Sequence, residues 1–372
     1  MASIPQSRLV QAVAHLLVSL CSLLSIIRFS NDPKLVKSAR SKSVWREAHK
    51  LGIQIQQLVV FGVRGEEMRA LVPTKKGSQT LHWSYFESIP VPPWLEKSPG
   101  DWIDDKNLFK KEFEQGGLPI ARGRFVTTGE QALRAFREFR APVITKPRSG
   151  SRARHTTVNI QTEEQLLEGF RRAQELCPYV MVEEFVSGSL YRATCVNRKL
   201  VGVIQFVKPE VIADGVKTVD ELLVHHNANK KFPNLTDVKR DGWYFDAITH
   251  QGYTPASVPV AGTHVLLSEH SERPNGGYFI DVTDSVPKET VAEIERGAEV
   301  CDVEVIGFDI ISRNLLDEKE RFTFIEGNTL PYIEIHDVPY EGIPRNVARA
   351  VWDMWYLDNR DREENKPEEN AE

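Results

Sequence analysis

Short blocks of hydrophobic and polar positions follow one another along residues 31–100 and predict a small α/β unit. The pattern over 44–51 predicts a helix, which Gly52 ends. Three further apolar runs favour strands, at 53–61, 68–72 and 81–86. The prolines within 90–93 lack the amide hydrogen that a strand ladder needs, and they indicate a linker.

From about residue 101 onward, predicted helices and strands alternate more regularly. Thr162 and Gln165 have the spacing of a capping box and predict a helix that begins there and runs to about residue 176. The other predicted helices cover 105–115, 129–140, 219–226, 290–301 and 345–355. The predicted strands cover 142–146, 156–160, 179–185, 192–196, 199–207, 303–312 and 322–328.

Residues 9–27 are an apolar stretch without a single charged side chain. Nineteen such residues are enough for a helix to span a bilayer. A buried or interfacial helix and a membrane anchor are both open interpretations of residues 1–30. A secretory signal fits less well, because Arg8 is the one basic residue before the stretch and no small-residue cleavage site follows it.

Composition narrows the class of protein. The chain has 372 residues, of which 41% are hydrophobic and 27% charged, and these values exclude a disordered or polytopic membrane protein. Its net charge is −5, and residues 358–372, with seven acids and three bases, supply −4 of it. We expect that tail to be disordered. The nearly neutral remainder argues against nucleic acid as a partner. Cys21, Cys177, Cys195 and Cys301 show no paired spacing, so neither disulfides nor a zinc site is expected, and a reducing, cytoplasmic location fits.

Two strands near the C-terminus place oxygen ligands together. If 303–312 and 322–328 pair as a hairpin centred between Asp317 and Glu318, Asp309 lies opposite Glu326. Asn328 is two residues beyond Glu326 and shares its face of the strand. Carboxylate and amide oxygens on a rigid hairpin suit Mg²⁺. Acids that simply face solvent are the alternative interpretation of this pattern.

Two further segments have features of a nucleotide site. Lys146 ends a predicted strand and is followed by the basic loop 148–155, in which Gly150 allows the backbone to approach an anion. A phosphate cradle and a solvated basic loop remain equally open for that loop, and Lys106 at a helix start is ordinarily just exposed. The strand 181–186 leaves through Gly188, and its backbone could face a flat base such as adenine, although a plain strand would look the same.

Taken in order, the motifs of residues 104–356 resemble the ATP-grasp superfamily, in particular the ATP-grasp module of cyanophycin synthetases. The strings that carry the resemblance are Asp214-Gly215-Val216-Lys217-Thr218, Gln251-Gly252-Tyr253-Thr254, Gly276-Gly277, Asp281-Val282-Thr283-Asp284, Gly307-Phe308-Asp309, Glu326-Gly327-Asn328 and Gly342-Ile343-Pro344-Arg345-Asn346. Several strings in one order are more specific than any single motif.

The resemblance implies an α+β fold in which two lobes clasp ATP, over residues 101–357, preceded by the small α/β domain of 31–100. It also implies an ADP-forming ligase that joins a small-molecule carboxylate to an amine, such as an amino acid or a peptide, through an acylphosphate. Similar ligases often associate, so a homo-oligomer is an open possibility, as is membrane contact through 9–27.

The resemblance assigns a role to each site residue. Lys106, Lys146 and Gly150 would contact the phosphates of ATP, and Glu183, Glu184, Phe185 and Val186 would lie along adenine. Mg²⁺, with Mn²⁺ as the alternative, would be held by Asp309, Glu326 and Asn328. His270 or Arg273 would stabilise the oxyanion, with a surface role as the alternative.

Four positions depart from the family pattern. Ala153 and His155 stand where glycines are usual, Leu190 stands where an acid is expected on the ribose, and Ser268 stands in place of an arginine. No Mur-ligase-like module follows, so we expect no arginine-adding chemistry. These departures leave an ATP-binding pseudoenzyme and an ATP-grasp kinase as the alternatives to a ligase.

Overall fold

The computed structural model describes residues 20, 26–73, 81–92, 95, 100, 102–140, 142–148, 155–269, 271 and 273–364. The N-terminal part of this chain is an antiparallel sheet in the order β1-β2-β3-β4, against which helix α1 packs. Ser38 caps α1 by accepting a hydrogen bond from the amide of Ser41. The elements are β1 (Ile27–Ser30), α1 (Ala39–Lys50), β2 (Gln54–Val60), β3 (Val63–Pro73) and β4 (Leu81–Phe86).

Helix α2 (Lys106–Gln115) leads into a second antiparallel sheet, called the small sheet, with the strand order β5-β8-β6-β7. Its strands are β5 (Gly123–Val126), β6 (Val143–Pro147), β7 (Thr157–Ile160) and β8 (Val180–Glu184), and the helices packed on it are α3 (Gly129–Phe139) and α4 (Glu163–Gln174). The predicted capping box of Thr162 and Gln165 is confirmed at the start of α4.

Strands β9 (Ser189–Val196) and β10 (Lys199–Val207) form a hairpin, and a small unit with its own apolar core follows them. That unit contains β11 (Glu210–Ile212), α5 (Val219–Ala228), α6 (Gly242–His250) and β12 (His264–Leu266). Its centre is the fully buried Tyr244, whose hydroxyl donates a 2.9 Å hydrogen bond to Asp220. The sequence pattern predicted α5 but missed α6, β11 and β12.

The central sheet combines that hairpin with later strands in the order β13-β10-β9-β14-β15. The later elements are β13 (Tyr278–Asp281), α7 (Lys288–Cys301), β14 (Val305–Ser312) and β15 (Phe322–Asn328). One face of the sheet packs against α2 and α7, in a core that includes Phe113, Ile294 and Phe308. The two sheets with their helices confirm the predicted α+β class.

The last helix, α8 (Val347–Glu364), joins the N-terminal sheet to the central sheet. Trp352 is fully buried and donates a 3.0 Å hydrogen bond from its indole to the Val44 carbonyl of α1. Trp355 donates in the same way to Pro90. Val196 and Val305 of the central sheet belong to this same apolar core. The N-terminal elements therefore share a core with the rest of the chain.

The two chain ends are described only in part. Helix α8 ends at Glu364 and overlaps the start of the predicted disordered tail 358–372, which stays a prediction. Residues 365–372 lie outside the described residues, as does nearly all of the apolar stretch 9–27. Among the residues that the structure describes, no helix has the length and apolarity needed to cross a bilayer.

Candidate functional site

In the hairpin of β14 and β15 the predicted pairing of Asp309 with Glu326 is confirmed, but a bulge at Ile325 shifts the register by one residue nearer the turn. Asp309 pairs with Glu326, and Asn328 pairs with Gly307. Because directly paired residues point to the same side of a sheet, both carboxylates and the carboxamide lie on one face, called the site face. The Nδ2 atom of Asn328 is buried and has no hydrogen-bond partner among the described residues. The carboxylates of Asp309 and Glu326 and the Oδ1 atom of Asn328 are hard oxygen donors of the kind that divalent cations prefer.

Arg192 also belongs to this site, and sequence reasoning missed it. It pairs with Asp309 across β9 and β14, and its Nε lies 2.6 Å from Oδ1 of that carboxylate. The guanidinium reaches this position because residue 307 is glycine: a Cβ there would lie 3.2 Å from Arg192 Cδ and 2.7 Å from Pro331 Cβ. An arginine in an otherwise apolar strand was the signal that could have identified it.

The charges that act on the Glu326 carboxyl include those of the predicted lysines, so these lysines lie near it. Burial raises the pKa of the Glu326 carboxyl above its usual value, and the negative charge of Asp309 raises it further. Lys106, Lys146 and Arg192 act in the opposite direction. A carboxyl whose pKa is raised in this way binds a cation more readily than a surface carboxylate, because the cation removes the cost of its buried charge.

Lys146 lies at the end of β6, where Glu183 of β8 holds it. The Lys146 Nζ is 2.9 Å from Glu183 Oε2, and Lys110 of α2 is 3.1 Å from that same oxygen. Lys110 was not predicted as a site residue. Its spacing of four from Lys106 puts both lysines on one side of a helix, and this was the signal in the sequence.

The segment predicted to lie along adenine covers the end of β8 and the loop that follows it. Glu183 is fully buried, so its carboxylate faces the two lysines, and Glu184 forms an ion pair with Arg122. The amides of Glu184 and Phe185 already donate to the carbonyls of Arg122 and Pro142. Of the predicted adenine contacts, the half-buried side chains of Phe185 and Val186 lie beyond the strand.

Several predicted residues fall where the structure gives little or no description. Gly150 and His270 lie outside the described residues, and Arg273 begins a 3₁₀ turn, Arg273–Asn275, with its side chain not described. Within the basic loop, Arg148 turns away from the loop and forms a 2.6 Å ion pair with Asp105, the residue that caps α2. That contact ties the end of β6 to the start of the helix that carries Lys106.

A buried histidine lies on the site face next to Arg192. His336 Nε2 is 2.8 Å from the hydroxyl of Thr194, and the ring is completely buried over Gly202. Burial, with Arg192 and Arg345 nearby, lowers the pKa of His336 from 6.5 to about 3, so the folded protein holds the ring neutral.

We expect this histidine to make the protein less stable in mild acid. The unfolded chain takes up a proton on His336 as the pH falls through 6.5, whereas the folded chain does not. The free energy of unfolding therefore decreases as the pH is lowered. Between pH 7.5 and 5.5 the wild type should lose about 1.4 kcal/mol more than the variant His336→Asn, as measured by urea unfolding. His49→Asn, at an exposed position, is the control and should behave as wild type. Equal losses in all three proteins would contradict this assignment.

No family model matches the chain, but known relatives and a solved structure do. It is 27% identical over 336 residues to a cyanophycin synthetase from Nostoc sp. (strain PCC 7120), covering 85% of this chain and 35% of that protein. It is 28% identical over 262 residues to the glutathione biosynthesis bifunctional protein GshAB from Desulfotalea psychrophila, covering 68% of this chain and 34% of that protein. The chain thus spans about a third of the length of these curated relatives.

One of the similar solved structures is a bifunctional glutathione synthetase from Pasteurella multocida. It superposes with a TM-score of 0.57 at 21% sequence identity and covers 85% of this chain and 43% of that one. This likeness shows a shared fold. The similarity to cyanophycin synthetases and this shared fold both support the predicted resemblance to the ATP-grasp superfamily.

Proposed function

We propose that this chain is an ADP-forming ligase that joins a carboxylate to an amine at the expense of ATP. The observation that carries the proposal is the meeting of Asp309 and Glu326 on one face, with Lys106 and Lys146 near enough to act on Glu326. Two acids and two lysines at one place form an arrangement that can bind a metal-bound triphosphate.

The chemistry explains why such a site needs both charges. A carboxylate is a poor acylating agent, because its leaving group would be oxide. Its oxygen attacks the γ-phosphorus of ATP, the bond to the β-phosphate oxygen breaks, and ADP leaves. An amine then attacks the carbonyl carbon of the acylphosphate, and loss of phosphate and a proton gives the amide. Positive groups stabilise the charge that moves between phosphate oxygens in the first step.

Each named residue has a proposed role in that reaction. Asp309, Glu326 and Asn328 would hold Mg²⁺, or Mn²⁺, which supplies charge neutralisation on the phosphates when bound. Lys106 and Lys146 would bind phosphate oxygens, with Gly150 allowing the loop to approach them. Phe185 and Val186 would line the base, whereas the carboxylates of Glu183 and Glu184 are held in ion pairs. Arg273 or His270 would stabilise the tetrahedral oxyanion. The division into domains at 31–100 and 101–357 stays part of the proposal.

The substrates are proposed by class. The names of the relatives, a cyanophycin synthetase and a glutathione biosynthesis protein, favour an amino acid or a short peptide as carboxylate or amine. The chain covers only 35% and 34% of those two proteins, so their complete activities are not transferred to it.

The test is to incubate purified protein with Mg-ATP and pools of amino acids and to measure ADP, phosphate and new products by mass spectrometry. Release of ADP and phosphate in equal amounts, dependent on both a carboxylate and an amine, is the expected result. A phosphorylated product that is stable without any amine would indicate a kinase instead. Absence of nucleotide binding by calorimetry together with absence of turnover would refute the proposal.

The second candidate function is a nucleotide-binding pseudoenzyme, and Leu190 favours it. Leu190 is two residues before Arg192 on β9 and therefore shares the site face. The resemblance places an acid here against the ribose, and leucine cannot accept hydrogen bonds from ribose hydroxyls. A pseudoenzyme would bind ATP without hydrolysis or transfer under all substrate pools.

Restoring the acid should strengthen nucleotide binding. We expect Leu190→Asp to lower the Kd for the β,γ-imido analogue of ATP by about tenfold, the value of a charge-assisted hydrogen bond. Calorimetry at constant salt measures it, and Leu316→Asp, at an exposed leucine far along the hairpin, is the matched control. Unchanged or weaker binding by Leu190→Asp would show that residue 190 does not face the ribose.

A further inference from the structure

A buried cluster of two lysines and one glutamate joins α2 to the small sheet. The ammonium groups of Lys110 and Lys146 lie 3.1 Å and 2.9 Å from the same oxygen of Glu183. Lys110 and Lys146 are 5% and 8% exposed, and Glu183 is fully buried. The contact is ionic, because neither oxygen of Glu183 accepts a hydrogen bond of good geometry from the described residues.

The cluster carries one uncompensated positive charge. Burial alone would raise the pKa of Glu183, but the charges of Lys146 and Lys110 outweigh it and lower the pKa, so this residue is a carboxylate. Burial lowers the pKa of the Lys110 amine, and the charge of Glu183 acts in the opposite direction. With both amines protonated, two ammonium groups and one carboxylate leave a net charge of +1. Glu183 with a single lysine would be neutral, and burying a neutral pair costs less than burying a net charge. Stability therefore does not explain the second lysine.

The two lysines differ in what they can reach. Lys146 lies at the end of β6 and acts on Glu326 of the site. Lys110 lies deeper: its ammonium donates to the Ala121 carbonyl, and its side chain fills the space above Gly123, where a Cβ would come within 3.3 Å of Lys110 Cε. Lys110 can influence an anion in the site through its charge alone.

We propose that Lys110 is a positioning residue that supplies counter-charge. It neutralises Glu183, and Lys146, which Glu183 holds in place, thereby keeps a full positive charge for the phosphates of the nucleotide. Without Lys110, the pair of Lys146 and Glu183 would present a dipole instead of a charge, and its attraction for phosphate would fall steeply with distance. The inference rests on the proposed function, because it takes the anion to be the phosphate chain of ATP.

The test compares a charged and an uncharged ligand in four proteins. Calorimetry measures the Kd for the β,γ-imido analogue of ATP and for adenosine in the wild type, Lys110→Gln, Lys111→Gln and the double variant Lys110→Gln/Glu183→Gln. Glutamine at 110 retains a donor for Ala121. Lys111→Gln removes the same charge one residue away, on the exposed side of α2. The double variant restores a net charge of +1 to the cluster.

We expect Lys110→Gln to weaken binding of the ATP analogue by about tenfold and to leave adenosine unchanged. The double variant should recover most of that loss, and Lys111→Gln should bind as wild type. Equal weakening of both ligands, or a double variant weaker than the single one, would show a structural role and overturn the inference. Wild type that fails to bind the ATP analogue overturns the proposed function and this inference together. Wild-type binding that Lys110→Gln leaves unchanged overturns the inference alone.

Discussion

Replacing Glu326 with glutamine is expected to reduce the rate of ADP formation by about a thousandfold. The variant keeps the size of the side chain and removes one of two carboxylates that face each other across β14 and β15. Since burial and Asp309 both raise the pKa of Glu326, the neutral amide should fold at least as well as the wild type. The loss therefore reports on cation and phosphate binding, separately from folding.

Two measurements separate this prediction from a general effect on the protein. Titration with Mn²⁺, followed by its electron paramagnetic resonance signal, should show weaker metal binding in Glu326→Gln. The matched control is Glu318→Gln, which removes an exposed carboxylate from the turn of the same hairpin and should retain full activity. Normal ADP formation by Glu326→Gln would exclude this carboxylate from the metal site and would remove the main support for a ligase.

The hairpin that carries this site was predictable because its constraints are local. The polar turn and the two apolar runs predict the hairpin and the pairing of Asp309 with Glu326. They do not predict the bulge next to that pair, which places Glu326 on the face of Asp309 instead of the face of Phe324. Local spacing likewise predicts the capping box at Thr162, in which both partners lie within one helical turn. In each case the residues that decide the geometry are less than twenty positions apart.

Arg192 and Lys110 could not be located in this way. Arg192 meets Asp309 only because β9 lies next to β14, 117 residues later in the chain. Lys110 meets Glu183 because α2 packs on one sheet while its lysine reaches the strand of another. Each contact depends on the order of strands or the packing of lobes, which residue patterns do not encode. The motifs predict candidate binding residues, but they do not predict the residues that hold those side chains in place.

The contacts between the N-terminal elements and α8 also lie beyond local sequence patterns. Strands β2 and β3 and helix α1 pack against α8, and Val196 and Val305 of the central sheet line the same core. No pattern within residues 31–100 indicates that the apolar face of this segment packs against a helix almost 250 residues later. The apolar residues of α8 itself, among them Trp352 and Trp355, were the visible counterpart.

The second large effect concerns this core: the substitution Trp352→Ala is expected to destabilise the protein. Trp352 is fully buried, meets Phe86 edge-on with ring centroids 6.2 Å apart, and donates its indole hydrogen to Val44. We expect the substitution to lower the free energy of unfolding by about 4 kcal/mol, because it leaves a large cavity and an unpaired carbonyl. Trp243→Ala is the control, since Trp243 is 52% exposed, and should cost less than about 1 kcal/mol. Urea unfolding followed by circular dichroism measures both.

The same experiment tests whether the core is shared. If the N-terminal sheet were an independent domain, Trp352→Ala would leave the unfolding midpoint of that sheet unchanged. A single transition that shifts as a whole is the outcome that a shared core requires.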